Sequence, residues 1–87
     1  MSNSKPIKTL RDGLISASIW CSSSDDGQKR YSVTFSRSYL QGEEWRTAYS
    51  FSGAELLRLS KLTNAAYDHI ATVRHEDRVN RQSRVAA

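Results

Sequence analysis

Lys29 to Phe51 reads KRYSVTFSRSYLQGEEWRTAYSF, and the alternation inside it decides the fold. From Tyr31 onward, Tyr31, Val33 and Phe35 are large and apolar, whereas Ser32, Thr34, Ser36 and Ser38 between them carry small hydroxyls. A period of two with one apolar face is a half-buried strand. On the return leg Trp45, Thr47, Tyr49 and Phe51 alternate with Arg46, Ala48 and Ser50, so the stretch is expected to form one β-hairpin. Keeping the bulky sets together requires a loop of odd length, because a slip of one residue would send every side chain to the other face. The expected pairs are Tyr39 with Trp45, Arg37 with Thr47, Phe35 with Tyr49 and Val33 with Phe51, with Gly42 supplying the positive φ of the loop.

Working towards the N-terminus, Leu14 to Cys21 divides in the same way. Ile15, Ala17, Ile19 and Cys21 take one side, and Ser16 and Ser18 the other. Trp20 stands on the hydroxyl side, where a large aromatic has no evident core to fill. The polar loop from Ser22 to Gln28, centred on Asp26-Gly27, is built of turn formers, and its odd length lets Ile19 face Tyr31 and Ala17 face Val33. Lys5 to Asp12 is a weaker strand with Pro6 at its start, as suits a sheet edge, and Asp12-Gly13 signals a reversal into the next strand. Residues 1–4 are expected to be disordered.

Towards the C-terminus, Ser52-Gly-Ala-Glu55 fits a capping box and opens a helix. Leu56, Leu59, Leu62, Ala66, Ile70 and Val73 recur at spacings of three and four, giving one apolar stripe for the sheet, with Leu57, Ala65 and Tyr67 beside it. A helix from Gly53 to about His75 would run roughly 33 Å against roughly 26 Å for eight-residue strands. It should therefore overhang its sheet. Arg74, Arg78 and Arg81 are spaced for one helical face, but the apolar stripe stops, so residues 76–87 are expected to form a mobile basic tail behind a single domain of residues 5–75.

The expected class is thus α+β, a four-stranded antiparallel sheet followed by one C-terminal helix. Eighty-seven residues make one small domain that leaves apolar surface uncovered unless it gains a staple or a partner. Cys21 is the single cysteine, so there is no internal disulfide framework and no Cys/His cluster for zinc. Size and overhang together predict a homodimer, with Leu57, Leu62 and Tyr67 at the interface. No stretch approaches a membrane span, and Met1-Ser-Asn-Ser-Lys5 lacks the apolar run of a signal peptide, so a cytoplasmic protein is expected.

The net charge of +4 sits at the two ends: Lys5, Lys8 and Arg11 exceed Asp12, and Arg74, Arg78, Arg81 and Arg84 exceed Glu76 and Asp77, while the middle is balanced. Basic ends suit either nucleic-acid binding or simple solubility. Catalysis has little to stand on. His69 and His75 are six apart rather than the four of a helical metal pair, the serines lack a G-x-S-x-G setting, and Asp25-Asp26 and Glu43-Glu44 have no phosphate cradle or metal loop around them. No cofactor or metal is expected, and the chain reads as a binding protein. One helix covers one face of such a sheet, so the other meets water, a subunit or a ligand. That face is expected to hold Ser16, Ser18, Ser32, Thr34, Ser36, Ser38, Arg46 and Ser50 with Trp20 among them. Small hydroxyls also suit a strand face in plain water; the aromatics and Arg37 tilt the reading towards a ligand.

Lys5-Pro-Ile-Lys8 through Ser18-Ile-Trp20, then Tyr31-Ser-Val-Thr-Phe-Ser-Arg-Ser-Tyr39, then Glu44-Trp-Arg-Thr47 to Ser50-Phe51 and the following helix resemble a family of small bacterial and phage proteins. These are similar in layout to the single-stranded-DNA-binding domain of positive cofactor four, a eukaryotic transcriptional coactivator. The likeness runs from about Lys5 to Ile70 and gives no counterpart for the arginine-rich tail. It implies a β-β-β-β-α protomer, a homodimer joined partly through helices, and sheets with projecting hairpins that hold single-stranded DNA with little sequence preference. By position it implies that Lys5, Lys8 and Arg11 are basic residues of the first strand, that Trp20 is the aromatic ending the second, and that Arg37, Tyr39 and Arg46 lie on the hairpin surface, beside Trp45. The expected function is single-stranded nucleic-acid binding in transcription, replication or recombination, near the nucleoid. RNA is an open alternative to DNA, and a module that docks a polymerase or regulator through the open face is the alternative to both.

Overall fold

This computed structural model describes the backbone of residues 5–86 and the side chains of residues 5–80. The disorder expected of residues 1–4 falls outside the described residues. Four strands, β1 (Lys8–Asp12), β2 (Ile15–Ser23), β3 (Lys29–Gln41) and β4 (Glu44–Ala48), form one antiparallel sheet in the order β1-β2-β3-β4, and a helix α1 (Glu55–Ala86) follows. The α+β class and the β-β-β-β-α order read from the alternation are therefore what the chain adopts.

The turns set the registers. Asp12 pairs with Ile15 and Gln41 with Glu44, so β1–β2 and β3–β4 are each joined by two residues, with Gly13 and Gly42 at φ 65° in the first central position. Glycine there is what a tight II′ hairpin turn requires. The odd loop expected after Tyr39 is thus replaced by Gly42-Glu43, and the observed pairs are Tyr39 with Arg46, Leu40 with Trp45, Ser38 with Thr47 and Arg37 with Ala48. This shift of one residue turns β4 over relative to the expectation. β4 also ends at Ala48, so Tyr49 and Phe51 are not paired with Phe35 and Val33. Between β2 and β3 the correction is smaller. Ile19 faces Val33, Ala17 faces Phe35 and Cys21 faces Tyr31, which preserves the expected faces but shortens the loop to residues 24–28.

β2 and β4 lie on opposite sides of β3 and share little of its length. β2 pairs with Lys29–Arg37 and β4 with Arg37–Gln41, so only Arg37 has paired neighbours on both flanks. Beyond it a single further bond, from the Ser38 amide to the Leu14 carbonyl at 2.9 Å, ties the hairpin back to the body. The β3–β4 tip therefore projects as an arm.

Buried Ile15, Ala17 and Ile19 line the helix side of β2, and Leu62 and Ala66 meet them from α1. Leu10, Val33, Phe35, Phe51 and Leu59 close around this core. α1 crosses β2 with β1 and β3 at its flanks and does not reach β4. Its start is capped by half of the expected box: the Ser52 amide donates to the Glu55 carboxylate at 3.1 Å, and the Glu55 amide to the Ser52 carbonyl at 3.1 Å. Arg58 and Asp12 approach to 4.0 Å at this end.

The helix continues past His75 to Ala86 in place of the mobile tail expected from residue 76. The position after Val73 in the sheet-facing row is Asp77, whose carboxylate accepts the Tyr31 hydroxyl at 2.7 Å and lies 3.5 Å from Lys29 Nζ. A hydrogen-bonded carboxylate thus continues the stripe that apolar residues had carried. Thirty-two helical residues span about 48 Å. No helix among the described residues is long and apolar enough to cross a membrane.

Candidate functional site

Paired residues of an antiparallel sheet point to the same side. The register therefore assigns Thr9 and Arg11 of β1, Ser16, Ser18, Trp20 and Ser22 of β2, Arg30, Ser32, Thr34, Ser36, Ser38 and Leu40 of β3, and Trp45 and Thr47 of β4 to the face away from α1. Most of these are serine or threonine. Four are arginine or tryptophan, and they occupy four of the six open-face rungs along β3, the rungs of Thr34 and Ser38 carrying only hydroxyls. Arg30 comes first, Trp20 is opposite Ser32, Arg11 is on the rung of Ser16 and Ser36, and Trp45 is opposite Leu40. Cation and aromatic thus alternate from Arg30 to Leu40 of β3, ten residue steps or about 33 Å.

The hydroxyls hold the surface in shape. Ser16 Oγ and Ser36 Oγ lie 3.0 Å apart across the strand pair, and Trp20 Nε1 donates to Thr34 Oγ1 at 2.9 Å. The bond reaches diagonally across β3, so the half-buried indole lies against the sheet with its polar edge satisfied. Trp45 and Leu40, 63 % and 55 % exposed, pair directly on the projecting arm. An isolated two-stranded arm is marginal in water, and this one carries two large apolar side chains into solvent.

The expected site residues divide between the two faces. Arg11, Trp20 and Trp45 share the open face. Lys8, Arg37, Tyr39 and Arg46 belong to the helix side, and Lys5 precedes β1. Arg46 therefore leaves the open face on which parity had placed it, because the two-residue turn exchanges it with Trp45; Ser50 lies beyond the strands altogether. Arg37 is held in the fold: its Nε donates to the Ser50 carbonyl at 3.1 Å, lies 3.5 Å from Glu55, and its guanidinium carbon sits 5.6 Å from the Tyr39 ring centre. These contacts bind the arm to the helix start. Arg46 pairs with Glu44 at 3.0 Å between exposed side chains, an interaction that water screens. Arg11 and Lys8 are exposed and form no ion pair among the described residues.

Besides the hydroxyls Thr9, Ser22 and Thr47, two larger open-face residues escape the sequence reading, Arg30 and Leu40. Arg30 has the parity of Ser32 and Thr34, so the alternation itself could have placed it. Leu40 depended on the turn length. Of the residues expected between subunits, Leu57 and Tyr67 are 68 % and 72 % exposed, while Leu62 packs in the chain's own core against Ile15 and Ala17.

Away from this face, burial and the Asp77 carboxylate push the Tyr31 hydroxyl well above its ordinary range, so it stays a donor. In the β2–β3 loop, the Ser24 hydroxyl and the Gln28 amide hold Asp26 below the usual carboxylate range. Among the described residues no three His, Cys, Asp or Glu side chains gather where a metal could be held. No family model, no curated protein and no solved structure matches this chain.

Proposed function

We propose that the chain binds single-stranded nucleic acid, DNA in the first place, along the open sheet face, without catalysis and with little sequence preference. The observation that supports this reading is the alternation of Arg30, Trp20, Arg11 and Trp45 over a floor of serine and threonine. Guanidinium groups neutralise phosphates, and indole faces stack on bases of any identity. Short hydroxyls let a strand lie close to the sheet. Lys5 and Lys8, at and before the β1 edge, add positive charge from the side. Arg37, Tyr39 and Arg46 support the arm instead of forming the floor.

The protein acts as a homodimer in this reading. Exposed Leu57 and Tyr67 on α1, and a helix that leaves β4 uncovered, are the surfaces a second copy would close. Transcription, replication or recombination at the nucleoid is the corresponding setting. The other reading, a module that docks a polymerase or regulator, draws on exposed Leu40 and Trp45 at the arm.

Fluorescence anisotropy of a labelled single-stranded oligonucleotide, measured beside the same sequence as duplex and as RNA at two salt concentrations, tests the proposal. Tighter binding to the single strand that weakens with salt supports it. Absence of binding at low salt rejects it in favour of the docking module.

A further inference from the structure

A groove of about 840 Å³ opens on the other side of the molecule, where the β2–β3 loop meets the distal half of α1. Gln28, Lys29 and Tyr31 form one wall, and Arg74, Asp77 and Arg78 the other. Its two carboxylates are engaged locally. Asp77 takes the Tyr31 hydroxyl and Lys29, and Asp26 takes the Ser24 hydroxyl and the Gln28 amide. Arg74 and Arg78, one helical turn apart and exposed, form no ion pair among the described residues. With Lys29 they give the groove lining three cations against the two carboxylates of Asp26 and Asp77.

We infer that this groove is a second anion site that takes phosphate groups through the paired guanidiniums of Arg74 and Arg78. Two arginines one turn apart on the same helix, both lining the groove, can each turn a donor fork to phosphate oxygens. The Tyr31–Asp77–Lys29 contacts tie the start of β3 to the helix at the groove. The groove is open to solvent and polar in lining, which suits a hydrated phosphate group. The phosphate can belong to a nucleic-acid backbone or to a free nucleotide. This site lies across the sheet from the alternating arginines and tryptophans and does not rest on their role.

The test is a titration of the ¹⁵N-labelled full chain, followed by amide shifts, with inorganic phosphate, adenosine 5′-monophosphate and an oligo-dT in turn. Wild type is compared with Arg74→Gln/Arg78→Gln and with Arg74→Lys/Arg78→Lys. Shifts at Gln28, Lys29 and Arg74–Arg78 that vanish in the glutamine variant support the site, and an affinity loss of several-fold or more in the lysine variant supports the paired forks. Response to oligo-dT alone identifies a polymer backbone, and equal response to the mononucleotide identifies a free ligand. If no probe moves the groove amides while oligo-dT moves those of Trp20 and Trp45, the groove proposal is overturned and the open-face reading stands. Movement in the groove alone supports the anion site and rejects the open-face reading. The exposed positions of Arg74 and Arg78 keep the variants folded, and an unchanged melting temperature checks this.

Discussion

Replacing Trp20 with alanine separates binding from folding, because the indole lies on the open face while the core lies beneath β2. The folded state would lose the bond from Nε1 to Thr34 Oγ1, at 2.9 Å, and the packing of a half-buried ring on the sheet. A neutral hydrogen bond contributes about 0.5–1.5 kcal/mol net, and Thr34 is exposed, so water can replace the missing donor. Half-burial of the indole adds about 1–2 kcal/mol of packing at roughly 25 cal/mol per Å², so the expected loss of stability is about 2 kcal/mol, which in a domain of this size lowers Tm by roughly 8–16 °C. Ile19→Ala, at a fully buried position on the same strand, should cost about 2–5 kcal/mol. Binding should respond in the opposite proportion. Loss of one stacked base removes about 1–3 kcal/mol, or roughly 5- to 150-fold in Kd per site. Anisotropy with labelled oligo-dT at low salt measures the affinity, and thermal unfolding by circular dichroism measures the stability. Trp20→Phe should recover most of the affinity, since it keeps a ring without the indole donor. A folded Trp20→Ala protein with wild-type affinity would refute the stacking role, and a Tm loss exceeding that of Ile19→Ala would show that the indole belongs to the core.

Other expectations follow from the same geometry. Arg11→Gln/Arg30→Gln should weaken single-strand binding and make the plot of log affinity against log salt shallower by about 1.4, at roughly 0.7 for each phosphate no longer neutralised; an unchanged slope would remove both residues from the interface. Leu57→Glu/Tyr67→Glu should convert a dimer to monomer in light scattering at micromolar concentration with the circular dichroism spectrum retained, and a variant whose mass equals that of wild type would place the subunit contact elsewhere. The raised Tyr31 group makes a pH prediction of definite sign. Its stabilising effect is fully present below the ordinary tyrosine value of 10.0 and is lost as pH rises towards the folded-state value, so Tm should fall more steeply above pH 10 in wild type than in Tyr31→Phe. Parallel curves would show that the hydroxyl is not coupled to folding.

Strands, their order and their buried face were legible where the period was strong, but the register at Gly42 was not. Ile15, Ala17 and Ile19 alternate with Ser16 and Ser18 so regularly that burial of the first set follows from the residues alone, and the observed core contains all three. Two of the hidden parts depended on a partner distant in sequence. Helix length could not be read from apolar spacing, because Asp77 takes the sheet-facing position after Val73 and is accommodated by Tyr31, 46 residues earlier. Arg37 looks like a surface arginine in a polar strand, yet its partners are the Ser50 carbonyl and Glu55. Nothing local to Arg37 announces them.

The candidate face turns on the length of one turn. With Gly42-Glu43 as the whole connection, Trp45 joins Leu40 on the side of Trp20, and Arg46 joins Tyr39 on the side of α1. A connection one residue longer would exchange these sets, leaving the open face with Trp20 as its single tryptophan and moving an indole towards the cation at Arg37. The alternation in Trp45-Arg46-Thr47-Ala48 allows either outcome, since neither parity is uniformly apolar. Glycine at the first turn position decides between them, because its positive φ closes a two-residue hairpin and the same device closes β1–β2 at Gly13. The distribution of tryptophan and arginine over the two faces thus follows from backbone conformation at two glycines. It is Gly42, more than any charged residue, that places an aromatic at the far end of the open face, while Gly13 sets the side taken by Arg11.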